Sequence, residues 1–79
     1  MPDRYYFNFC ENGKLTPDTE GLEMPSADDA KRQAANALAS IFAEHVRANG
    51  PNLSAAVTVE DENHRPVFEA EINYSARAR

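Results

Sequence analysis

Long apolar runs, basic charge, cysteine and large aliphatic side chains are all scarce in this chain, and each scarcity excludes something. The longest apolar stretches are a few residues, so no segment reads as a transmembrane helix. The opening Met1-Pro2-Asp3-Arg4 has neither the basic start nor the apolar core of a secretory signal. The single Cys10 can form no internal disulfide and cannot supply a zinc site alone. These readings together point to a reducing, cytoplasmic setting, in which Asn52-Leu53-Ser54 and Asn73-Tyr74-Ser75 match the glycosylation pattern by chance. Basic residues number 8 against 13 acids, a net charge of −5. That balance argues against nucleic acid as a partner, since phosphate backbones need a basic face. Arg77 and Arg79 read as a solvated tail.

The apolar stock is also thin. Hydrophobic residues make up 42% of the 79, but 13 of them are Ala. Leu, Ile, Val and Phe number 14, or about 18%, just under the rough 20% line below which chains tend to disorder. The aromatics are grouped, however, and the charge is modest, so a folded single domain over 1–79 is expected. A chain of this size buries only about 60% of its unfolded surface. A partner chain could therefore complete its core.

Four signals divide the sequence. Arg4-Tyr5-Tyr6-Phe7-Asn8-Phe9-Cys10 reads as a strand with Tyr5, Phe7 and Phe9 on one face. Asn12-Gly13 follows, a strong hairpin signal because both positions accept positive φ. The second strand at Lys14-Leu15-Thr16 is cut short by Pro17, and Leu22-Glu23-Met24 resumes extended structure after the turn Asp18-Thr19-Glu20-Gly21. Ser26, with Asp29 three residues on, marks a helix start; Asn49-Gly50-Pro51 marks its stop, with Gly50 expected as the left-handed cap. The spacing predicts a helix over 27–48. Its length of about 33 Å is long for so small a sheet. Ala55-Ala56-Val57-Thr58-Val59-Glu60 and Val67-Phe68-Glu69-Ala70-Glu71-Ile72-Asn73-Tyr74 read as a second hairpin around the polar loop 61–66. The fold class is α+β: an antiparallel sheet of two β-hairpins (ββαββ), one long helix packed on one face, and the aromatic first strand at the centre in the order 2-1-3-4.

These pieces, in this order, resemble a family of short uncharacterised bacterial domains of rhizobial type, a domain of unknown function. The matching segments are Arg4-Tyr5-Tyr6-Phe7, Asn12-Gly13, Asp18-Thr19-Glu20-Gly21, Met24-Pro25 leading into Ala30-Lys31-Arg32-Gln33-Ala34, Val57-Thr58-Val59-Glu60-Asp61 and Arg65-Pro66-Val67-Phe68. The resemblance covers nearly the whole chain and implies no catalytic residues. A looser likeness is to the antitoxin half of bacterial toxin–antitoxin pairs, which also set an extended segment with Gly and Pro before an acid-led helix.

Placed at 100° per residue, Ala30, Ala34, Ala37, Leu38, Ile41, His45 and Ala48 form one helix stripe, and Ala35, Ala39, Phe42 and Val46 widen the apolar arc to half the circumference. One sheet needs a stripe of order 100°. Phe42 and Val46, with Ala35, Ala39 and His45, are therefore the candidate interface of a homodimer; the plainer account of the alanines is helix propensity. His45 reads as a base or ligand only if a second His or carboxylate joins it, and otherwise as a core or interface histidine. Cys10 lacks the electropositive setting of a nucleophile, with Glu11 beside it. Asp18, Glu20, Glu23, Asp28 and Asp29 could offer oxygens to a hard cation, but they match no EF-hand spacing and fit turn and cap chemistry. Glu60, Asp61, Glu69 and Glu71 load the last hairpin with negative charge, as a solvated face that resists aggregation or as a docking face for a basic protein. No phosphate loop, nucleophile elbow or CxxC motif is present.

The expected function is a small non-catalytic interaction or regulatory module acting as a homodimer, without cofactor, catalytic residues, nucleic acid or membrane. The alternatives are an antitoxin-like partner of another protein, binding through the acidic hairpin, and a small metal-dependent enzyme with its site at a dimer interface.

Overall fold

The computed structural model describes residues 3–78. Met1, Pro2 and Arg79, the last of these part of the basic tail, lie outside them; Arg77 is exposed. The elements are β1 (Asp3–Glu11), β2 (Lys14–Thr16), β3 (Leu22–Met24), α1 (Ala27–Arg47), β4 (Leu53–Glu60) and β5 (Pro66–Tyr74). The fold is α+β, one helix against a five-stranded antiparallel sheet ordered β2-β1-β4-β5, with β3 also paired to β1. The aromatic strand takes an inner position, as its composition predicts. The sheet differs from the four-strand expectation in one respect. Leu22–Met24 pairs with Asp3–Tyr5, while Lys14–Thr16 pairs with Phe9–Glu11. Two three-residue strands thus share one edge of β1, because Pro17 and the turn after it divide what would have been a single partner.

Local chemistry explains the connections. Asn12 and Gly13 have φ of 50° and 84°, both in the left-handed region that a two-residue primed turn requires. Asn12 then ties this hairpin to β4: its N–H donates to the Ser54 carbonyl at 2.7 Å and its Oδ1 accepts from the Ser54 N–H at 2.9 Å. The β4–β5 loop closes on Asp61, whose Oδ1 accepts from the N–H groups of Asn63 and Arg65 at 2.9 and 3.0 Å.

The core lies between β4 and α1. Leu53, Ala55, Val57 and Val59 form the buried inner row of β4, and Tyr5 joins them from β1. Ala30, Ala34 and Leu38 meet them from the helix, the two alanines without exposure, so the backbone of α1 sits close to the sheet. Burying a Val or Leu side chain contributes about 1.5–3 kcal/mol, which makes β4 the strand that anchors the fold. At about 1.5 Å per residue the 21 residues of α1 span about 31 Å. The nine residues of β5, at about 3.3 Å each, span about 30 Å. The helix is therefore about as long as β5, and is not long for this sheet as its sequence suggested.

Both helix ends are closed. The Ser26 Oγ accepts from the Asp29 N–H at 3.2 Å while its hydroxyl donates to Asp29 Oδ2 at 2.9 Å. At the other end the Asn49 N–H donates to the Val46 carbonyl and the Gly50 N–H to the His45 carbonyl, both at 3.0 Å, the paired bonds of a Schellman cap. The left-handed residue of that cap is Asn49, with φ of 56°, and not Gly50 as its sequence suggested. Gly50 is needed for a different reason: the His45 ring lies where its Cβ would be.

Candidate functional site

The expected interface residues divide into two groups. Phe42 and His45 are half-buried by the chain itself. The Phe42 ring meets Tyr74 of β5 edge-on at a centroid distance of 5.3 Å, and His45 approaches the same tyrosine at 6.2 Å. Ala35 and Ala39 are exposed, and Val46 keeps 40% of its surface in solvent. All four apolar positions lie on one line along α1, since 35, 39, 42 and 46 are spaced 4, 3 and 4 apart.

His45 is the sole polar side chain among the described residues with a buried, unpartnered nitrogen: Nε2 is sealed from solvent and has no hydrogen bond. The ring packs against the Gly50 backbone, and Glu11, Ile41 and Glu44 line a depression of about 290 Å³ beside it. The histidine that sequence placed on the helix stripe is thus a packing residue under the helix cap. Its partner in sequence, His64, lies in the β4–β5 loop, where its ring stacks on Tyr6 at 4.4 Å and its Nδ1 stands 3.3 Å from Glu60 Oε1. The two histidines do not share a site.

The acidic hairpin also divides. Glu60 is engaged with His64, and Asp61 closes its own loop. Glu69 and Glu71 stand opposite Thr58 and Ala56 on the sheet face away from the helix. Neither forms an ion pair among the described residues. They border a shallow depression of about 360 Å³ with Ala56 and Thr58.

Asp18, which its sequence marks as a turn acid, does more than close a turn. Its carboxylate joins the two halves of the β1 edge. Oδ2 accepts from the Phe7 N–H at 3.1 Å; Oδ1 accepts from the N–H groups of Glu20 and Gly21 at 3.1 and 3.0 Å. The Asp18 N–H donates in turn to Asn8 Oδ1 at 2.8 Å. Phe7 lies between the stretches of β1 paired with β2 and β3, so the carboxylate takes the place of a strand partner there. Burial raises the Asp18 pKa, but the backbone N–H groups of Gly21, Phe7 and Glu20, with the Arg4 charge, outweigh it and leave the carboxyl below its ordinary value. Gly21 turns the chain at φ of 74°, with Arg4 Cγ 2.8 Å and the Tyr5 carbonyl oxygen 3.0 Å from where a Cβ would stand. Arg4 completes the clasp, its Nη1 donating to the Glu20 carbonyl at 2.8 Å. The signal was present in Asp18-Thr19-Glu20-Gly21, an acid able to bond N–H groups two and three residues on.

The segments that carry the family resemblance fall within one span, residues 4–73, matched by a family model described as Domain of unknown function (DUF6894). The chain belongs to the DUF6894 family. No curated protein and no solved structure matches it. In this DUF6894 chain the Asp-x-x-Gly segment is thereby given a structural duty, holding β2 and β3 against β1.

Three of the other acids that lead into or open the helix of this DUF6894 domain stand beside cations. Glu23 stands 3.4 Å from Arg4, Asp28 3.9 Å from Lys31 and Asp29 3.9 Å from Arg32. No group of three His, Cys, Asp or Glu among the described residues could hold a metal ion. Cys10 is half-buried on the open sheet face, opposite Leu15 on β2 and Ala56 on β4. Burial and the neighbouring Asp3, Asp61 and Glu62 raise the pKa of the Tyr5 phenol, which favours its neutral form. No helix among the described residues is long and apolar enough to cross a membrane.

Proposed function

We propose that this DUF6894 chain is a small non-catalytic interaction module that pairs with a second copy of itself through α1, in the cytoplasm. One observation carries the reading: Ala35, Ala39, Phe42 and Val46 form a 4-3-4 apolar line on a helix whose adjacent stripe already covers the sheet. That spacing is the seam along which two helices pack side by side. The two alanines allow close approach of the backbones, and Phe42 and Val46 supply the apolar area. Phe42 is also braced from behind by Tyr74, which holds its ring in place for a partner.

Sedimentation of the pure protein at micromolar concentration tests this directly, with a dimer expected. Phe42→Glu should yield monomer or unfolded chain, since it also removes a contact with Tyr74. Val46→Glu and Ala39→Glu alter exposed positions and should yield folded monomers. A wild-type monomer at high micromolar concentration, or dimers unaffected by both exposed substitutions, would reject the reading. The non-catalytic part has its own test: concentration-dependent thermal stabilisation by a divalent metal ion would count against it.

A further inference from the structure

The two edges of the sheet are built differently. On the β1 side, the outermost strands are three residues each and are separated by the Asp18 loop. Short, interrupted edges resist pairing with another chain. On the other side lies β5, nine residues long and paired only with β4 among the described residues. After Pro66 it contains no proline, so every residue keeps its N–H. In an antiparallel ladder about half of those groups, with as many carbonyls, point away from the partner strand. Beside this open row the inner-face residues Phe68, Ala70, Ile72 and Tyr74 are only half-buried, whereas the inner row of β4 under the same helix is fully buried. The difference is the missing neighbour: one more strand beside β5 would complete their burial.

The side chains on the outer face say which strand fits. Glu69 and Glu71 project there without a cation partner among the described residues. A second copy pairing antiparallel about a two-fold axis at Ala70 sets Glu69 opposite Glu71. An axis at either glutamate sets it opposite itself, and an axis at Ile72 leaves the two Glu71 side chains diagonal neighbours. Like charges so placed oppose pairing, whereas opposite charges favour it. We propose that the open edge of β5 receives an extended segment of another protein, carrying Lys or Arg at alternate positions on the outer face and apolar side chains toward α1. Backbone hydrogen bonds supply the register and the alternate side chains supply the choice of partner. This contact uses residues other than the α1 line; Tyr74, which braces Phe42, is the point where the two surfaces touch.

The test uses a capped nine-residue peptide alternating Lys and Val, a second with Glu in place of Lys, and a third with Pro at two of the Val positions. Binding is read by fluorescence anisotropy, and the site by amide hydrogen exchange over 67–74. The Lys peptide should bind and slow exchange in β5, and the Glu and Pro peptides should bind on the order of tenfold more weakly. Glu69→Lys with Glu71→Lys should reverse the preference between the Lys and Glu peptides. Glu11→Lys with Glu44→Lys, an equal change of net charge elsewhere, should leave it unchanged. Equal responses of the two charge-reversed chains would overturn the proposal, as would absence of protection in β5. So would β5 protection that rises with protein concentration alone, which places a second copy on the edge. The same titration on Val46→Glu separates this proposal from the dimer, since that chain should lose self-association and keep the peptide.

Discussion

Replacing Asp18 probes the part of the fold that its local sequence leaves least visible. The carboxylate accepts three backbone N–H bonds, from Phe7, Glu20 and Gly21. A hydrogen bond to a charged group contributes about 1.5–3 kcal/mol net when buried, and less where water can replace it. The Glu20 bond is exposed, so water compensates for much of its loss; the Phe7 N–H, within the sheet, is left without a partner at a cost of about 1–3 kcal/mol. Asp18→Ala should therefore lose about 3 kcal/mol. Asp18→Asn keeps one acceptor oxygen and turns an amide group toward the remaining donors, so it should lose about half as much. For a domain of 79 residues total stability is roughly 4–12 kcal/mol at the usual 0.05–0.15 per residue. The alanine variant should thus melt roughly 12–24 °C lower, at 4–8 °C per kcal/mol. Urea unfolding followed by circular dichroism gives the difference at neutral pH. The pH dependence then isolates the charge. The folded pKa lies below the ordinary value of 3.8, so the stabilisation is fully present above that value and is lost as pH falls through the folded pKa. The gap between wild type and Asp18→Asn should accordingly narrow in strong acid. An alanine variant within about 0.5 kcal/mol of wild type, the range of ordinary surface changes, would refute the reasoning. So would a wild-type-to-Asn gap that is the same at neutral and acid pH.

Gly50→Ala should destabilise by about 1–3 kcal/mol, because its methyl group would occupy the place of the His45 ring. Adding His45→Ala should recover part of that loss, and a double-mutant cycle in urea showing no coupling would mean the ring lies elsewhere. Gly21→Ala meets both a left-handed φ and the Arg4 side chain, so a loss of about 2 kcal/mol or more is expected in the same assay. Ser26→Ala removes the acceptor for the Asp29 N–H, and thermal melting should register about 1 kcal/mol; an unchanged melting point would show that the cap is dispensable.

The sequence by itself determined the elements whose physics is local. Asn12-Gly13 accepts two positive φ values and so specifies its turn. Ser26 with Asp29 starts the helix, and the alternation from Val67 to Tyr74 assigns each residue of β5 to a face. The aromatic strand's inner place also followed, because Tyr5, Phe7 and Phe9 need cover that an edge cannot provide. Tertiary structure decided what depends on approach between distant segments. Asp18 reads as a turn acid until the Phe7 N–H is found 3.1 Å away, on the edge of β1 where no strand pairs with it. Gly50 reads as the helix cap until the His45 ring is found over it and Asn49 takes the left-handed position. The candidate surfaces divide in the same way. Ala35, Ala39, Phe42 and Val46 form one line by spacing alone, but only the packing against Tyr74 distinguishes the braced Phe42 from the exposed Val46. The four acids of the last hairpin look equivalent in sequence. Loop closure occupies Asp61 and His64 occupies Glu60, which leaves Glu69 and Glu71 beside the open strand, because hydrogen-bond partners are assigned by geometry and not by composition.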